Sequence, residues 1–323
     1  MIYDVITLGE TMLRLSPPEP LRIEQASQYE MQVGGSESNV AVGLARLGLR
    51  VAWLSRLTDN ALGHTIENAI RAYGVDTSHI VWTSEDRVGL YFYEPGSAPR
   101  SGKVLYDRAG SAASRIQPTD LPAPLLAPDR ARLLHLSGIT LAIGESAART
   151  THEFARAAKT NGWILSFDIN YRKLLWSADA ARAGCHELAA MADILFLPLR
   201  DAVTLYGSAN EPETAVNLLH ERYPQATIVM TLGANGAIAR QGDTLRTQPA
   251  YPTETVVGRV GGGDAFVSGY LYGHLTGCSL EETLRWATAS AAYKYSMVGD
   301  MPLLDREPIR QLIQNQSTQG LVR

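Results

Sequence analysis

Arg132-Leu-Leu-His-Leu136, Ile164-Leu-Ser-Phe-Asp168, Ile194-Leu-Phe-Leu197 and Thr227-Ile-Val-Met-Thr231 are short, almost wholly apolar runs. The segments between them are long enough for a helix, and their spacing predicts helices over 145–160 and 178–191, with another after 197. Strands apolar on both faces, alternating with helices, are the pattern of a mainly parallel sheet covered on both sides. Towards the amino terminus, Val5-Ile-Thr-Leu8 reads as a strand ending at Gly9-Glu10, and Val51-Ala-Trp-Leu54 as another. Between them Val40, Val42, Leu44 and Leu47 take helical spacing before a stop at Gly48, and Ala61 to Tyr73 forms a helix closed by Gly74. From 262 the chain is mostly helical.

The length of 323 residues fits one large α/β domain with an insertion as well as it fits two domains. With 45% apolar and 19% charged residues there is ample material for a core. The net charge of −4 offers no basic surplus for neutralising phosphates, which argues against a nucleic-acid partner. Cys185 and Cys278 are too few and too far apart for a disulfide framework, and none of the seven histidines stands at metal-ligand spacing. The start lacks a cationic region and meets Asp4 at once, so no signal peptide is expected, and no uninterrupted apolar run is long enough to span a bilayer. A cytoplasmic protein without a membrane partner is the expectation.

One stretch breaks the rhythm. Val88-Gly-Leu-Tyr-Phe-Tyr-Glu94 and Lys103-Val-Leu-Tyr-Asp-Arg108 flank a loop with Pro95, Gly96 and Pro99, and read as a hairpin where a helix would be due. Together with 10–34, which contains the breaker Ser16-Pro-Pro-Glu-Pro20, it is expected to form a small β lid.

The segment richest in chemistry is Arg259-Val-Gly-Gly-Gly-Asp-Ala-Phe266. Gly261, Gly262 and Gly263 lead straight into a helix, so main-chain N–H groups can face a ligand without a Cβ in the way. The helix terminus adds about half a positive charge, which suits an anion. Asp264 would repel a phosphate, and makes sense there as the acceptor of a proton from a hydroxyl that attacks the phosphate. The competing structural reading makes it an N-cap on a tight turn. No G-x-x-x-x-G-K-[ST] loop, no G-x-G-x-x-G after the first strand, and neither H-E-x-x-H nor G-x-S-x-G is present. P-loop enzymes, Rossmann dehydrogenases, metalloproteases and esterases are thereby disfavoured.

Gly34-Gly-Ser-Glu-Ser-Asn39 with Leu44-Ala-Arg-Leu-Gly48 resembles the amino-terminal signature of the ribokinase-like (PfkB) carbohydrate kinases, and Val260-Gly-Gly-Gly-Asp-Ala-Phe266 their carboxy-terminal signature. Thr231-Leu-Gly-Ala-Asn-Gly-Ala237 resembles the nucleotide-side turn between them, and the three stand in family order. The resemblance implies a single ribokinase-like α/β domain over 1–323, with helices on both faces of the sheet and a lid from about 10–34 and 87–110. Phe167-Asp-Ile-Asn-Tyr-Arg172, Tyr106-Asp-Arg-Ala-Gly-Ser-Ala112 and Val298-Gly-Asp300 resemble the 2-keto-3-deoxygluconate kinase branch.

What this resemblance implies is ATP-dependent phosphorylation of 2-keto-3-deoxygluconate at its 6-hydroxyl, with Mg²⁺. Asp264 would be the base and Gly261, Gly262 and Gly263 the anion-binding turn. Gly34, Asn39, Tyr91, Tyr106, Arg108 and Arg172 would hold the sugar acid, whose carboxylate suits the bidentate hydrogen bonds of arginine. Thr231, Gly233, Ala234, Gly236 and Gly263 would border the nucleotide. A homo-oligomer joined through the exposed apolar face of the lid is also implied. Kinases of a neutral sugar such as fructose, and a non-catalytic sugar-acid sensor, are the alternatives.

The chain departs from the family pattern twice. Gly258 stands where an Asp usually precedes the first glycine by three residues, in a stretch that helps many relatives hold a monovalent cation; potassium activation is therefore not expected. Pro198-Leu-Arg-Asp201 stands where the family has Asn-x-x-Glu, leaving Asp201 as the candidate metal carboxylate and implying altered metal use. Glu10, after the first strand, either faces the cleft or lies on the surface.

Overall fold

The computed structural model describes residues 2–96, 99–253 and 255–319, with side chains to 315; Met1 and residues 97, 98, 254 and 320–323 lie outside the described residues. In chain order the strands are β1 (Tyr3–Leu8), β2 (Met12–Ser16), β3 (Glu30–Gly34), β4 (Val51–Leu54), β5 (Arg56–Thr58), β6 (Val81–Thr83), β7 (Leu90–Glu94), β8 (Lys103–Asp107), β9 (Ala131–Ser137), β10 (Ile164–Asp168), β11 (Ile194–Pro198), β12 (Thr227–Thr231), β13 (Ala237–Gln241) and β14 (Thr244–Gln248). The helices are α1 (Ser36–Arg46), α2 (Ala61–Arg71), α3 (Gly138–Ala142), α4 (Glu145–Thr160), α5 (Ala178–Met191), α6 (Leu199–Tyr206), α7 (Pro212–Arg222), α8 (Gly262–Leu275), α9 (Leu280–Lys294) and α10 (Arg306–Gln319).

Eight strands form the central sheet in the order β14-β13-β12-β11-β10-β9-β1-β4, parallel from β4 to β12. The four apolar runs singled out above are β9 to β12, adjacent and in sequence order, and the helices over 145–160 and 178–191 fall where spacing put them. Alternate residues of each strand feed two separate cores. Val5, Leu133, Phe196 and Val229 pack on one face with residues of α1, α8 and α9; Ile6, Leu134, Leu195 and Ile228 pack on the other with residues of α4, α5 and α7. Helices therefore cover both faces, as the continuous apolar runs demand.

Sequence reading missed the edge formed by β13 and β14, an antiparallel hairpin turning at Gly242-Asp243. Its signal was the Gly-Asp pair between two short alternating runs.

The insertion is larger than a hairpin. β7 and β8 pair antiparallel, β2 joins β7 in parallel, and β3 closes the far edge, giving a four-stranded sheet in the order β3-β2-β7-β8. This corrects the expectation of two strands and supplies the width that an isolated hairpin lacks. Its register sorts side chains into two rows. Gln32, Arg14, Tyr91 and Tyr106 are cross-strand neighbours on one face, while Met31, Leu15, Phe92 and Leu105 are neighbours on the other. The first row turns towards the carboxyl ends of the parallel strands. In the second, Met31 and Leu105 are well exposed. Among the described residues no helix is long and apolar enough to cross a membrane.

Candidate active site

The carboxyl ends of the parallel strands meet the amino terminus of α8, where an open α/β sheet ordinarily binds its ligand. α8 is buried almost all round, from Ala265 to Leu275, so only its first turn reaches the cleft. Its N-cap is Gly261, at φ 81°, a left-handed conformation that side chains rarely adopt, and a Cβ there would also run into the carbonyl oxygen of Asp300. No side chain caps this helix. Gly262 N donates to Arg259 O at 3.3 Å, whereas the N–H groups of Gly263 and Asp264 make no hydrogen bond among the described residues and are left for a ligand, for which the helix dipole favours an anion.

α1 lies alongside α8. Where they cross, Gly43 faces Ser268 with no room for a Cβ between them, and Ser268 Oγ donates to Asp264 O at 2.8 Å and to Val40 O at 3.3 Å. That approach brings the first turn of α1 to the first turn of α8. Asn39 Nδ2 donates to Asp264 Oδ2 at 2.7 Å, and Ser36 Oγ donates to Asp264 Oδ1 at 2.8 Å. Asp264 is thus oriented by two neutral donors rather than used as an N-cap for its own helix. Burial raises its pKa; the Asn39 and Ser36 hydrogen bonds and the charge of Arg172 pull it down, and Asp300 pushes it up.

Three confluent clefts surround this residue. The smallest, about 130 Å³, lies beneath the four-stranded sheet and is lined by Gly34, Asn39, Tyr91, Tyr106, Arg108 and Arg172, among others. A cavity of about 420 Å³ shares Tyr106, Arg172, Gly261 and Asp264 with it and adds Asp168, Asp201 and Pro198. The third, about 670 Å³, shares Pro198, Thr231 and Gly263 with the second and runs out over Gly233 and Gly236. Asp264 stands where the first two meet. The opening beyond Gly263 is large enough for a nucleotide-sized ligand, while the cleft beneath the four-stranded sheet admits only a small one.

The structure brings nearly all the expected site residues to these clefts. Ala234 is the exception: it sits exposed in the turn after β12 and is not among the lining residues, whereas its neighbour Asn235 is. Gly262 lines only the outer cleft. Arg108 proves already occupied, its Nε donating to Glu10 Oε2 at 2.8 Å in a buried ion pair, with its guanidinium over the Tyr106 ring. Glu10 therefore faces the cleft. Of the two arginines expected to meet a carboxylate, Arg172 is the one whose guanidinium forms no hydrogen bond or ion pair among the described residues, and it reaches both inner clefts. Tyr91 is buried, its ring near that of Tyr106, and its hydroxyl is engaged by Asp300, which also pairs with Arg14.

Several participants escaped the sequence reading. Ser36 precedes Asn39 by one helical turn and so shares its face; that spacing was the available signal. Arg14 was readable from the alternation in Met12-Leu-Arg-Leu-Ser16, which places Arg14 opposite Leu13 and Leu15. Asp168 ends β10, and only its proximity to Asp264 and Asp201, three strands and helices apart in sequence, reveals it. Burial, then the charges of Asp264 and Asp201, push its pKa up to about 7, against the pull of the Asn170 N–H at 2.9 Å and of Arg172.

A carboxyl raised in this way stabilises the fold while it is protonated, and that contribution is lost as pH rises through its folded pKa. In metal-free buffer the melting temperature is expected to fall as pH rises from about 4 to about 7 and to level off above that, and Asp168→Asn should flatten that fall. An identical pH slope in the variant would show that Asp168 is not the group concerned.

Residues 3–305 match the model of the pfkB family carbohydrate kinases. The chain is 37% identical to a 2-dehydro-3-deoxygalactonokinase from Haloferax volcanii over 97% of each chain. It is 31% identical to a 2-dehydro-3-deoxygluconokinase from Thermoproteus tenax, over 93% of this chain and 90% of the relative. The crystal structure of a 2-dehydro-3-deoxygluconokinase from Thermotoga maritima superposes with a TM-score of 0.88, at 30% identity, covering 97% of this chain and 99% of the other. The fold is ribokinase-like, as the ordered signatures implied. This chain belongs to the pfkB family of carbohydrate kinases, phosphotransferases with ATP as co-substrate.

Proposed function

We propose that this kinase transfers the γ-phosphoryl group of ATP to the terminal 6-hydroxyl of a 2-keto-3-deoxy sugar acid, with 2-keto-3-deoxygluconate as the first substrate to test and its galactonate epimer as the second. Arg172 carries the reading. Its charge acts on Asp168, Asp201 and Asp264, yet its guanidinium makes no ion pair or hydrogen bond among the described residues, and it stands where the cleft beneath the four-stranded sheet reaches Asp264. A carboxylate on the substrate would accept the bidentate hydrogen bonds that no protein group takes. The relatives at 37% and 31% identity bear names of such sugar-acid kinases, which favours the acid over a neutral sugar.

In this reading the sugar lies beneath the four-stranded sheet, against Gly34, Tyr91 and Tyr106, with its terminal hydroxyl towards Asp264. Asp264 takes the hydroxyl proton as the oxygen attacks, held in line by Asn39 and Ser36. The turn of Gly261, Gly262 and Gly263, through the N–H of Gly263 and the open start of α8, receives the charge that builds on the transferred group. The four-stranded sheet acts as a lid that excludes water, without which ATP hydrolysis would compete. Asp168 and Asp201 fit Mg²⁺, which is commonly held by one or two carboxylates together with substrate phosphates. Burial disfavours the charged form of both, and the charge of Asp201 raises Asp168 further, so a cation beside them would relieve a cost the fold already bears. Bound there, the ion would neutralise the nucleotide phosphates. Asp201 is the carboxylate offered by the departure at Pro198, and proline at that place contributes wall and no donor.

The outward row of the lid, with Met31 and Leu105 exposed beside Leu15 and Phe92, fits pairing with the same face of a second copy in the cytoplasm. A dimer in solution by light scattering that dissociates in Leu105→Glu would support this; a monomeric wild-type protein would remove it.

A coupled ADP-release assay with Mg-ATP tests the chemistry. Turnover is expected with the 2-keto-3-deoxy acids and not with fructose or ribose, and preference for a neutral sugar would overturn the role of Arg172. Asp264→Asn should lower kcat by about 10²–10⁴-fold with the fold intact, the usual worth of a general base. Arg172→Lys should raise KM for the sugar acid about tenfold, the worth of one charge-assisted hydrogen bond, and leave KM for ATP nearly unchanged. Equal effects on both substrates would place Arg172 away from the carboxylate.

A further inference from the structure

Lys294, the last residue of α9, is among the largest side chains in the protein with no solvent exposure. A lysine buried so deeply is ordinarily matched by a carboxylate. Here Nζ donates to main-chain oxygens instead, Gly299 O at 2.9 Å and Met297 O at 3.3 Å, and no ion pair accompanies them among the described residues. Burial pulls its pKa down, and the more distant charges of Asp300 and Asp264 push it up.

The position of this ammonium gives it meaning. The segment after α9 folds back on the phosphate-facing turn, with Val257 N donating to Tyr295 O at 2.8 Å and Gly258 N to the same oxygen at 3.3 Å. A Cβ on Gly258 would stand 2.8 Å from Met297 O and 3.9 Å from Lys294 Nζ; one on Gly261 would stand 3.3 Å from Lys294 Cε. The ammonium therefore sits on the Cβ side of the two glycines, while Gly261 itself lines the cleft. Main-chain oxygens gathered round a monovalent cation replace its water shell, which is how a dehydrated potassium ion is held. An ammonium matches potassium closely in size and charge.

We propose that Lys294 is the resident cation of the phosphate-facing turn: its ammonium, held by the oxygens of Met297 and Gly299 behind Gly258 and Gly261, fixes the turn and its positive field, so that this kinase needs no free monovalent ion. Gly258, with no side chain, lets the turn lie close to Met297 O, one of the two oxygens that hold the ammonium. Lys294 touches neither the sugar nor the nucleotide in this account; it is a positioning residue acting through the turn. The proposal rests on the kinase reaction and not on which sugar acid is the substrate.

The test uses the full-length chain in a buffer whose sole monovalent cation is tetramethylammonium, too large for the cage, with any sugar that the wild type turns over. The wild-type rate should not respond to potassium or ammonium chloride at constant ionic strength. Lys294→Ala should lose about 10²-fold in kcat, the scale of losing one oxyanion-hole donor, with little change in KM for the sugar. Potassium or ammonium should restore at least tenfold of that loss with a saturable dose response. The same ions should raise the melting temperature of Lys294→Ala and leave the wild type unmoved, a readout that needs no substrate and so separates this proposal from the choice of sugar. Lys294→Met fills the space, keeps the packing, and should be impaired without rescue. Activation of the wild type by potassium would overturn the proposal. So would near-wild-type turnover of Lys294→Met, or a folded Lys294→Ala that no cation rescues in rate or melting temperature.

Discussion

The reacting centre depends on how closely α1 can approach α8. With no Cβ at Gly43, the two helices meet at Ser268, and their first turns converge on one carboxylate, so that Asp264 receives one donor on each oxygen. Both donors, Ser36 and Asn39, belong to the helix that follows the β3 edge of the small sheet, and Asp264 belongs to the glycine turn. A single helix crossing thereby joins the sugar end of the site to the phosphate end. A bulkier residue at 43 would push the pair apart along their whole length, and the loss would be felt at the carboxylate before it was felt in the core.

The charge balance of the cleft follows from the same construction. Asp168, Asp201 and Asp264 line one cavity in a protein that already carries net negative charge, and burial makes each reluctant to ionise. Under the proposed reaction two anionic substrates would nevertheless meet there. The positive contributions come from the open amino terminus of α8, from Arg172 and Arg259 at the cavity wall, and from the ammonium of Lys294 behind the turn. None of these is spent on a neighbouring acid in the way that Arg108 is spent on Glu10 and Arg14 on Asp300. Cations that hold the lid and its surroundings together are thus distinct from those left for ligands.

Much of this was legible in the sequence, and the reason differs from part to part. β9 to β12 and their helices could be read because a strand buried on both faces must be apolar throughout, so the period of the pattern reports the architecture directly. The turn into α8 could be read because a glycine immediately before a helix suits the left-handed conformation that Gly261 adopts. The occupancy of Arg108 could not be read, since Glu10 lies nearly a hundred residues away and nothing local marks a partner. Asp168 was hidden for a similar reason: its perturbation arises from charges on other elements, and a lone carboxylate at a strand end looks like any other. Lys294 sat in a helix whose other charged positions face solvent, and its burial comes from the chain folding back after Tyr295, which local pattern does not encode.

The two rows of the small sheet carry a further implication. Because side chains along β7 and β8 alternate between the cleft and the opposite face of the sheet, the character of the cleft beneath it is stored in the strand register as much as in residue identity. Replacing Tyr91 or Tyr106 changes one wall. Inserting or deleting a single residue within β7 would turn that whole strand over, carrying Phe92 into the cleft and Tyr91 outward, and would sever Asp300 from its hydroxyl partner in the same step. The pocket is therefore open to gradual retuning by substitution, while a change in strand length would exchange a polar ceiling for a greasy one at a stroke.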